Sequence, residues 1–196
     1  MNKVIALDIG RVCVHLRFNQ CKEALGFTAE QEPPDYFLLA SQKFEHGEIS
    51  VERWLGIFHR LTKNRFSDSV LFHAWNLIIG DEIEGMAELV KEISSLGYRF
   101  VYFSDTNEPH IMYCYRNLSF AHLITGQILS YQVGAQKPNE QMYQAFEEQY
   151  GKPCFYLDDK VCNIEGGTRE GWHSHLFTDA ESFRKEFYSL LEKEDI

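Results

Sequence analysis

The feature that most constrains this chain is a recurrence: short apolar segments that run into a carboxylate or hydroxyl residue, with amphipathic stretches between them. Val4–Leu7 and residues 100–103, 154–157 and 175–177 are brief, rich in aliphatic or aromatic side chains, and followed by polar or turn-forming residues. That is the pattern of buried parallel strands. Residues 127–131, between Gly126 and Gly134, are a weaker candidate. Residues 84–96 place Ala87, Leu89, Val90, Ile93 and Leu96 at helical spacing and stop at Gly97. Residues 139–150 follow Pro138, turn Met142, Ala145 and Phe146 inward and stop at Gly151, and residues 182–191 carry a stripe of Phe183, Phe187 and Leu190. Strands alternating with helices in this way predict an α/β fold, a Rossmann-like parallel sheet with helices on both faces.

Between the first strand and the next lies a run of about ninety residues with no strand signal. Most of it reads as helix: residues 18–25, 34–44, Val51–Leu61 and 69–78, separated by Gly26, a turn at 47–50 and a cap at Ser67 and Asp68. The expected organisation is a core of residues 1–15 and 80–196 with a small helical cap, residues 16–79, inserted after the first strand. Trp54, Phe58, Phe72 and Trp75 are the expected core of that cap.

A chain of 196 residues, 44% hydrophobic and 24% charged, is long enough to bury such a core. Its net charge of −10 disfavours nucleic acid and anionic membrane as partners, since both would repel it. A small anionic substrate is compatible, because one metal ion and a few positive groups dominate a local site. No apolar run is long enough to span a bilayer, and the N-terminus, with an acidic residue inside its apolar run, does not read as a signal peptide. The five cysteines are odd in number and form no C-x-x-C or zinc-type spacing, so free thiols in the cytoplasm are expected.

In an open parallel sheet the ligand site lies beyond the carboxyl ends of the strands. Those ends carry Asp8, Ser104 with Asp105, and Asp158 with Asp159, while Lys137 and Pro138 follow the weak strand. Singly, each has an ordinary explanation as a turn residue, a cap or a solvated charge. Together, clustered carboxylates require a cation, their hard oxygens suit magnesium, and a carboxylate beside such a metal is a workable nucleophile toward phosphorus.

The series ALDIGRVCV, FSDTNEPH, GAQKP and FYLDDKVCNIEGGTREGW resembles, in order and spacing, the four motifs of haloacid dehalogenase (HAD) superfamily phosphatases. It is most similar to the branch with a small helical cap that includes glucose-1-phosphate phosphatase and the N-terminal domain of soluble epoxide hydrolase. FEHGEIS and AWNLIIG resemble cap segments of that branch. The resemblance implies a magnesium-dependent phosphohydrolase acting on a small phosphorylated metabolite, such as a sugar phosphate, through an aspartyl phosphate. It implies Asp8 as nucleophile and metal ligand, and Gly10 as a ligand through its carbonyl. Asp158 would be a magnesium ligand, with Asp159 binding the metal directly or through water. Ser104, Asp105 and Lys137 would stand at the phosphate, Lys137 also serving catalysis, and Asn163 and Gly166 would begin the following helix, Asn163 orienting the loop.

Three positions depart from the pattern. Gly10 stands where most members carry a second Asp as general acid, although the glucose-1-phosphate phosphatase branch also has Gly there. Arg11 replaces the usual Gly or Asn and reads either as a substrate contact or as a surface ion pair. Asp105 replaces a common Asn, either weakening phosphate binding or pointing outward. Without a carboxylate at position 10, the chain is expected to favour esters whose leaving groups depart easily, unless His15 or a cap residue supplies the proton. His15 and His110 are the histidines nearest the motifs; a hydrogen-bonded loop histidine is the commoner reading. Two other functions remain: a HAD-like dehalogenase, which the paired acid at 158–159 disfavours, and a weakly active or inactive relative that binds a phosphometabolite or a protein.

Overall fold

All four residues of Val4–Leu7 (β1) are buried, and the strand is the middle of a five-stranded parallel sheet. The computed structural model describes residues 3–193. The ends of the expected core division, residues 1–2 and 194–196, lie outside the described residues. After β1 come Val14–Leu16 (β2), the helices Phe18–Ala24 (α1), Asp35–Glu45 (α2), Val51–Leu61 (α3) and Asp68–Asn76 (α4), and then Ile79–Glu82 (β3). There follow Met86–Ser95 (α5), Arg99–Ser104 (β4), Glu108–Asn117 (α6), Ile124–Leu129 (β5), Ser130–Val133 (α7) and Glu140–Tyr150 (α8). Phe155–Asp158 (β6), Val161–Arg169 (α9), Ser174–Leu176 (β7) and Ala180–Glu192 (α10) complete the chain.

The sheet order is β5-β4-β1-β6-β7. Side chains alternate across a strand, so β1 feeds two cores at once. Ile5 and Leu7 pack with Met86, Leu89 and Ile93 of α5, Ile111 of α6 and Phe183 and Phe187 of α10. Val4 and Ala6 point the other way, into a layer with Phe103, Met142 and Phe146 of α8, Tyr156 and Trp172. A fully buried Phe or Leu contributes roughly 1.5–3 kcal/mol, so both faces are needed to hold the sheet.

The expected strands differ from the observed ones at their ends. The segment expected at 127–131 is β5, Ile124–Leu129, and its last two residues turn into the short α7 instead. Leu96, expected on the buried stripe of α5, lies beyond the helix and is 40% exposed. On α8, Tyr143 takes the buried place expected for Ala145.

The long stretch expected to lack strands contains two, β2 and β3, paired antiparallel with Leu16 opposite Ile79 and Val14 opposite Glu82. They bring the entry and exit of the four helices together, so α1–α4 sit on a two-stranded stem. These helices have their own core, in which Trp54 stacks on Phe44 at 4.8 Å and packs against Phe58 and Trp75. Ser50 caps α3 by accepting from the Arg53 N–H at 3.3 Å, ending the turn after α2.

Two further contacts join the helical unit to the sheet. Trp75 of α4 stacks on His110 of α6 with ring centroids 5.0 Å apart, and its indole N–H donates to Asn107 Oδ1 at 3.3 Å. The end of α2 rests on α7, where the Ser130 hydroxyl donates to Glu45 O at 2.6 Å. Gly47 has φ +70, and a Cβ there would lie 2.2 Å from Tyr131 O, so only glycine permits this approach.

Candidate active site at the carboxyl edge of the sheet

The three central strands end together. Leu7 pairs with both Tyr102 and Leu157, so Asp8 and Asp158, one residue on, and Ser104, two residues on, emerge along one edge. There, Asp8, Gly10, Arg11, Leu16 and Ser104 line a cavity of about 80 Å³ with Asp105, Lys137, Asp159, Lys160 and Asn163. A separate cavity of about 50 Å³ inside the helical unit, lined by Cys21, Leu25, Phe37 and Phe58, brings no carboxylates together and offers no comparable chemistry.

Lys137 organises the polar cluster. Its Nζ donates to Asp8 Oδ1 at 2.9 Å, Asp158 Oδ2 at 2.6 Å and Phe103 O at 2.7 Å. An ammonium has three protons, so all are engaged. Burial alone would strip the proton from Lys137, but the carboxylates of Asp8, Asp158 and Asp105 outweigh it and keep the residue cationic. Burial pushes the Asp8 carboxyl above its usual range, with Lys137 opposing and Asp158 reinforcing the shift. Burial acts on Asp158 too, but Lys137 and further hydrogen bonds overcome it and hold that carboxyl low.

Ligand atoms of Asp8, Asp158 and Asp159 lie within 4.8 Å of one another. Proximity alone nominates all three as metal ligands, and their lone pairs separate them. Asp158 Oδ1 accepts from Lys160 N–H at 2.9 Å and Asn163 Nδ2 at 3.0 Å, while Oδ2 accepts from Lys137 Nζ and, at 2.6 Å, from the Tyr156 hydroxyl. A carboxylate offers about four such positions, so Asp158 is saturated. Expected as a metal ligand, it is also the anion that anchors Lys137. Asp159 has Arg11 Nη1 at 3.5 Å from Oδ2, an exposed and easily exchanged partner. Among the described residues Asp8 Oδ2 accepts no hydrogen bond, so it and Asp159 carry oxygens suited to a hard divalent cation.

Asp105, expected at the phosphate, lines the cavity. Its Oδ1 accepts from the Lys137 backbone N–H at 2.9 Å, bracing the loop that carries the lysine. Ser104, at the end of β4, is buried beside the cavity. Asn163, in the first turn of α9, donates to Asp158.

Arg11 has φ +59, the left-handed region that Gly and Asn tolerate best. Gly10 does not have a positive φ, and a Cβ there would meet only Leu16 Cδ1 at 3.2 Å. His15 is exposed on β2 and absent from the cavity lining. His110 is buried; burial pushes its pKa down to about 4, so it is a neutral bridge between helices and holds no proton to donate near neutrality.

Sequence reasoning missed Tyr156, Lys160, Gln136 and Glu45. Tyr156 stands two residues before Asp158 on one strand, so the same face carries both, and that period was available in FYLD. Glu45 comes from α2 and accepts from Gln136, the residue before Lys137, and no local pattern announces it.

The sequence matches no family model, and no curated protein is significantly similar to it. Solved structures are similar in fold. A HAD family enzyme from Bacteroides thetaiotaomicron superposes with a TM-score of 0.79 at 21% identity, covering 94% of this chain and 97% of that one. The wild-type form of that enzyme in complex with magnesium and inorganic phosphate gives 0.77 at 21% identity, over 91% of this chain and 96% of that one. L-2-haloacid dehalogenase from Xanthobacter autotrophicus gives 0.58 at 12% identity, over 89% of this chain and 76% of that one. On this geometry and these superpositions, the chain has the fold of the HAD family hydrolases.

Proposed function

We propose that this chain is a magnesium-dependent phosphohydrolase of the HAD superfamily that acts on a small phosphorylated metabolite, such as a sugar phosphate, through an aspartyl phosphate on Asp8. The observation that carries this reading is Lys137 bridging Asp8 and Asp158 while the second oxygen of Asp8 is left beside Asp159. Lys137 holds Asp8 through one carboxylate oxygen and opposes its protonation, and the Asp8 carboxylate attacks phosphorus in line. Ser104 holds a phosphate oxygen. Asp159, Asp8 and the Gly10 carbonyl would hold magnesium, which supplies Lewis-acid stabilisation of charge on the transferring phosphoryl group. The helical unit of α1–α4 serves as the cap, residues 16–79, restricting which esters enter. The structure of the Bacteroides enzyme with magnesium and inorganic phosphate supports phosphate over halide as the leaving chemistry.

Among the described residues no helix is long and apolar enough to cross a membrane, and the five free cysteines fit a reducing cytoplasm.

The test is a panel of phosphoesters and 2-haloacids assayed with magnesium and with chelator. Turnover of phosphoesters that chelator abolishes reversibly, and that Asp8→Asn removes, is expected; dehalogenation in chelator would replace this reading. Metal titration by calorimetry adds a sharper contrast. Asp159→Asn should lose metal binding and keep its melting temperature, whereas Asp158→Asn should unfold more readily, because it leaves Lys137 short of a buried counter-charge. Equal metal loss in both with unchanged stability would return Asp158 to the ligand set.

A further inference from the structure

Position 10 carries no side chain that can donate a proton, and His15 is exposed on β2. In an in-line displacement the leaving oxygen departs on the side of phosphorus opposite the nucleophile. Asp8 attacks from the sheet edge, so the departing group points toward the helical unit, and a proton donor must come from there.

Glu45, the last residue of α2, is not among the residues that line the cavity, but its carboxyl is bonded to the loop that carries Lys137. Its main chain is pinned to the core by the Ser130 hydroxyl, and its Oε2 accepts from the Gln136 side chain at 3.3 Å. Gln136 immediately precedes Lys137. The carboxyl is half-buried and within electrostatic reach of Asp105 and Lys160, both of which line the cavity. We propose that Glu45 is the general acid of this site, supplied by the cap in place of a carboxylate at position 10. This rests on the phosphohydrolase reading above.

The groups facing Glu45 are Asp105 on the loop after β4, Lys160 before α9, Gln136 and its own neighbour His46. Burial first, and Asp105 second, push its pKa up to about 7, against the opposing pull of Lys160, Gln136 and His46. A carboxyl so placed is partly protonated near neutrality, the condition a general acid needs. In the first step a bond forms between an Asp8 carboxylate oxygen and phosphorus, the ester P–O bond breaks, and the leaving oxygen takes the Glu45 proton. In the second, water attacks phosphorus, Glu45 carboxylate takes the water proton, and inorganic phosphate leaves as Asp8 is freed. Atoms and protons balance over the cycle.

The rival donor is Asp105, which is also buried and raised, but its Oδ1 is bound to the Lys137 N–H and it sits on the sheet side of the cavity. Glu45→Gln tests the choice, since it keeps the size and an acceptor for Gln136. On a primary alkyl phosphate, kcat/KM should fall about 10²-fold or more, and on 4-nitrophenyl phosphate by less than about tenfold, because a good leaving group needs no proton. The alkaline limb of the natural chain's profile on the alkyl ester, falling as pH rises through about 7, should vanish in the variant. Equal losses on both esters, no loss, or an alkaline limb retained in Glu45→Gln would overturn the assignment, as would Asp105→Asn reproducing the leaving-group signature alone. If the natural chain hydrolyses no ester, the phosphohydrolase reading fails and takes Glu45 with it. Hydrolysis with an indifferent Glu45 sinks only this inference.

Discussion

The site edge and the helical unit are held by opposite kinds of force. At the edge, Lys137, Asp8, Asp158, Tyr156 and Asn163 share directional hydrogen bonds centred on Lys137 and Asp158. In the helical unit, Phe37, Phe44, Trp54, Phe58 and Trp75 are packed ring on ring, with little directional bonding. A buried charge network adds little net stability but tolerates almost no change in geometry, whereas an aromatic core supplies stability and tolerates repacking. The difference fits a division of labour in which the edge performs chemistry and the helical unit shapes what reaches it. Between them lie narrow contacts: the β2–β3 stem, the Trp75–His110 stack and the end of α2 on Ser130.

The comparison breaks most sharply at Lys137. Lys137→Ala leaves Asp8 and Asp158 buried without their counter-charge, which should cost about 3–5 kcal/mol of stability. Activity should fall at least about 10²-fold, as for loss of one preorganised electrostatic group. Urea unfolding and steady-state kinetics read both; a threefold loss of activity in a stable variant would show that the edge is not organised by this residue.

The junction gives a smaller effect with a defined sign. His110 is neutral in the folded protein, with a pKa near 4 against 6.5 for the free group. Its folded pKa is depressed, so its contribution is present above pH 6.5 and is lost as pH falls toward 4, where the unfolded chain takes up a proton that the folded chain refuses. The full loss is on the order of 3 kcal/mol. The stability advantage of the natural chain over His110→Gln should therefore shrink between pH 7.5 and pH 4.5 (about three units, across that window). An advantage that stays constant with pH would mean that water reaches the junction.

The smallest effect is expected at Arg11, where the edge carries strain. A left-handed backbone costs a side-chain-bearing residue roughly 1 kcal/mol, and the exposed pair with Asp159 contributes little against it. Arg11→Gly should accordingly raise stability by about 1 kcal/mol or somewhat less, since glycine also gains freedom in the unfolded chain. A fall of similar size in thermal unfolding would show that the Asp159 pair outweighs the strain.

Much of the sheet was legible because its signals are local. Val4–Leu7 is uniformly apolar and ends at Asp8, Gly97 and Gly151 stop helices where their left-handed φ values require, and the acidic strand ends follow from the strands themselves. The β2–β3 pair was not, because its partners are separated by the whole helical unit and IGDE carries no apolar run. The candidate site divides in the same way. The residues that converge at the edge could be named from their order along the chain, since a parallel sheet delivers its carboxyl ends to one place. Which of two adjacent aspartates anchors the lysine could not, because both read as D. Only packing decided it, by bringing Tyr156, Asn163, Lys137 and the Lys160 N–H around Asp158 and leaving Asp159 to an exposed arginine. Glu45 is the extreme case: sequence supplies an ordinary acidic residue at a helix end, and tertiary structure alone buries it near Asp105 and raises its affinity for a proton.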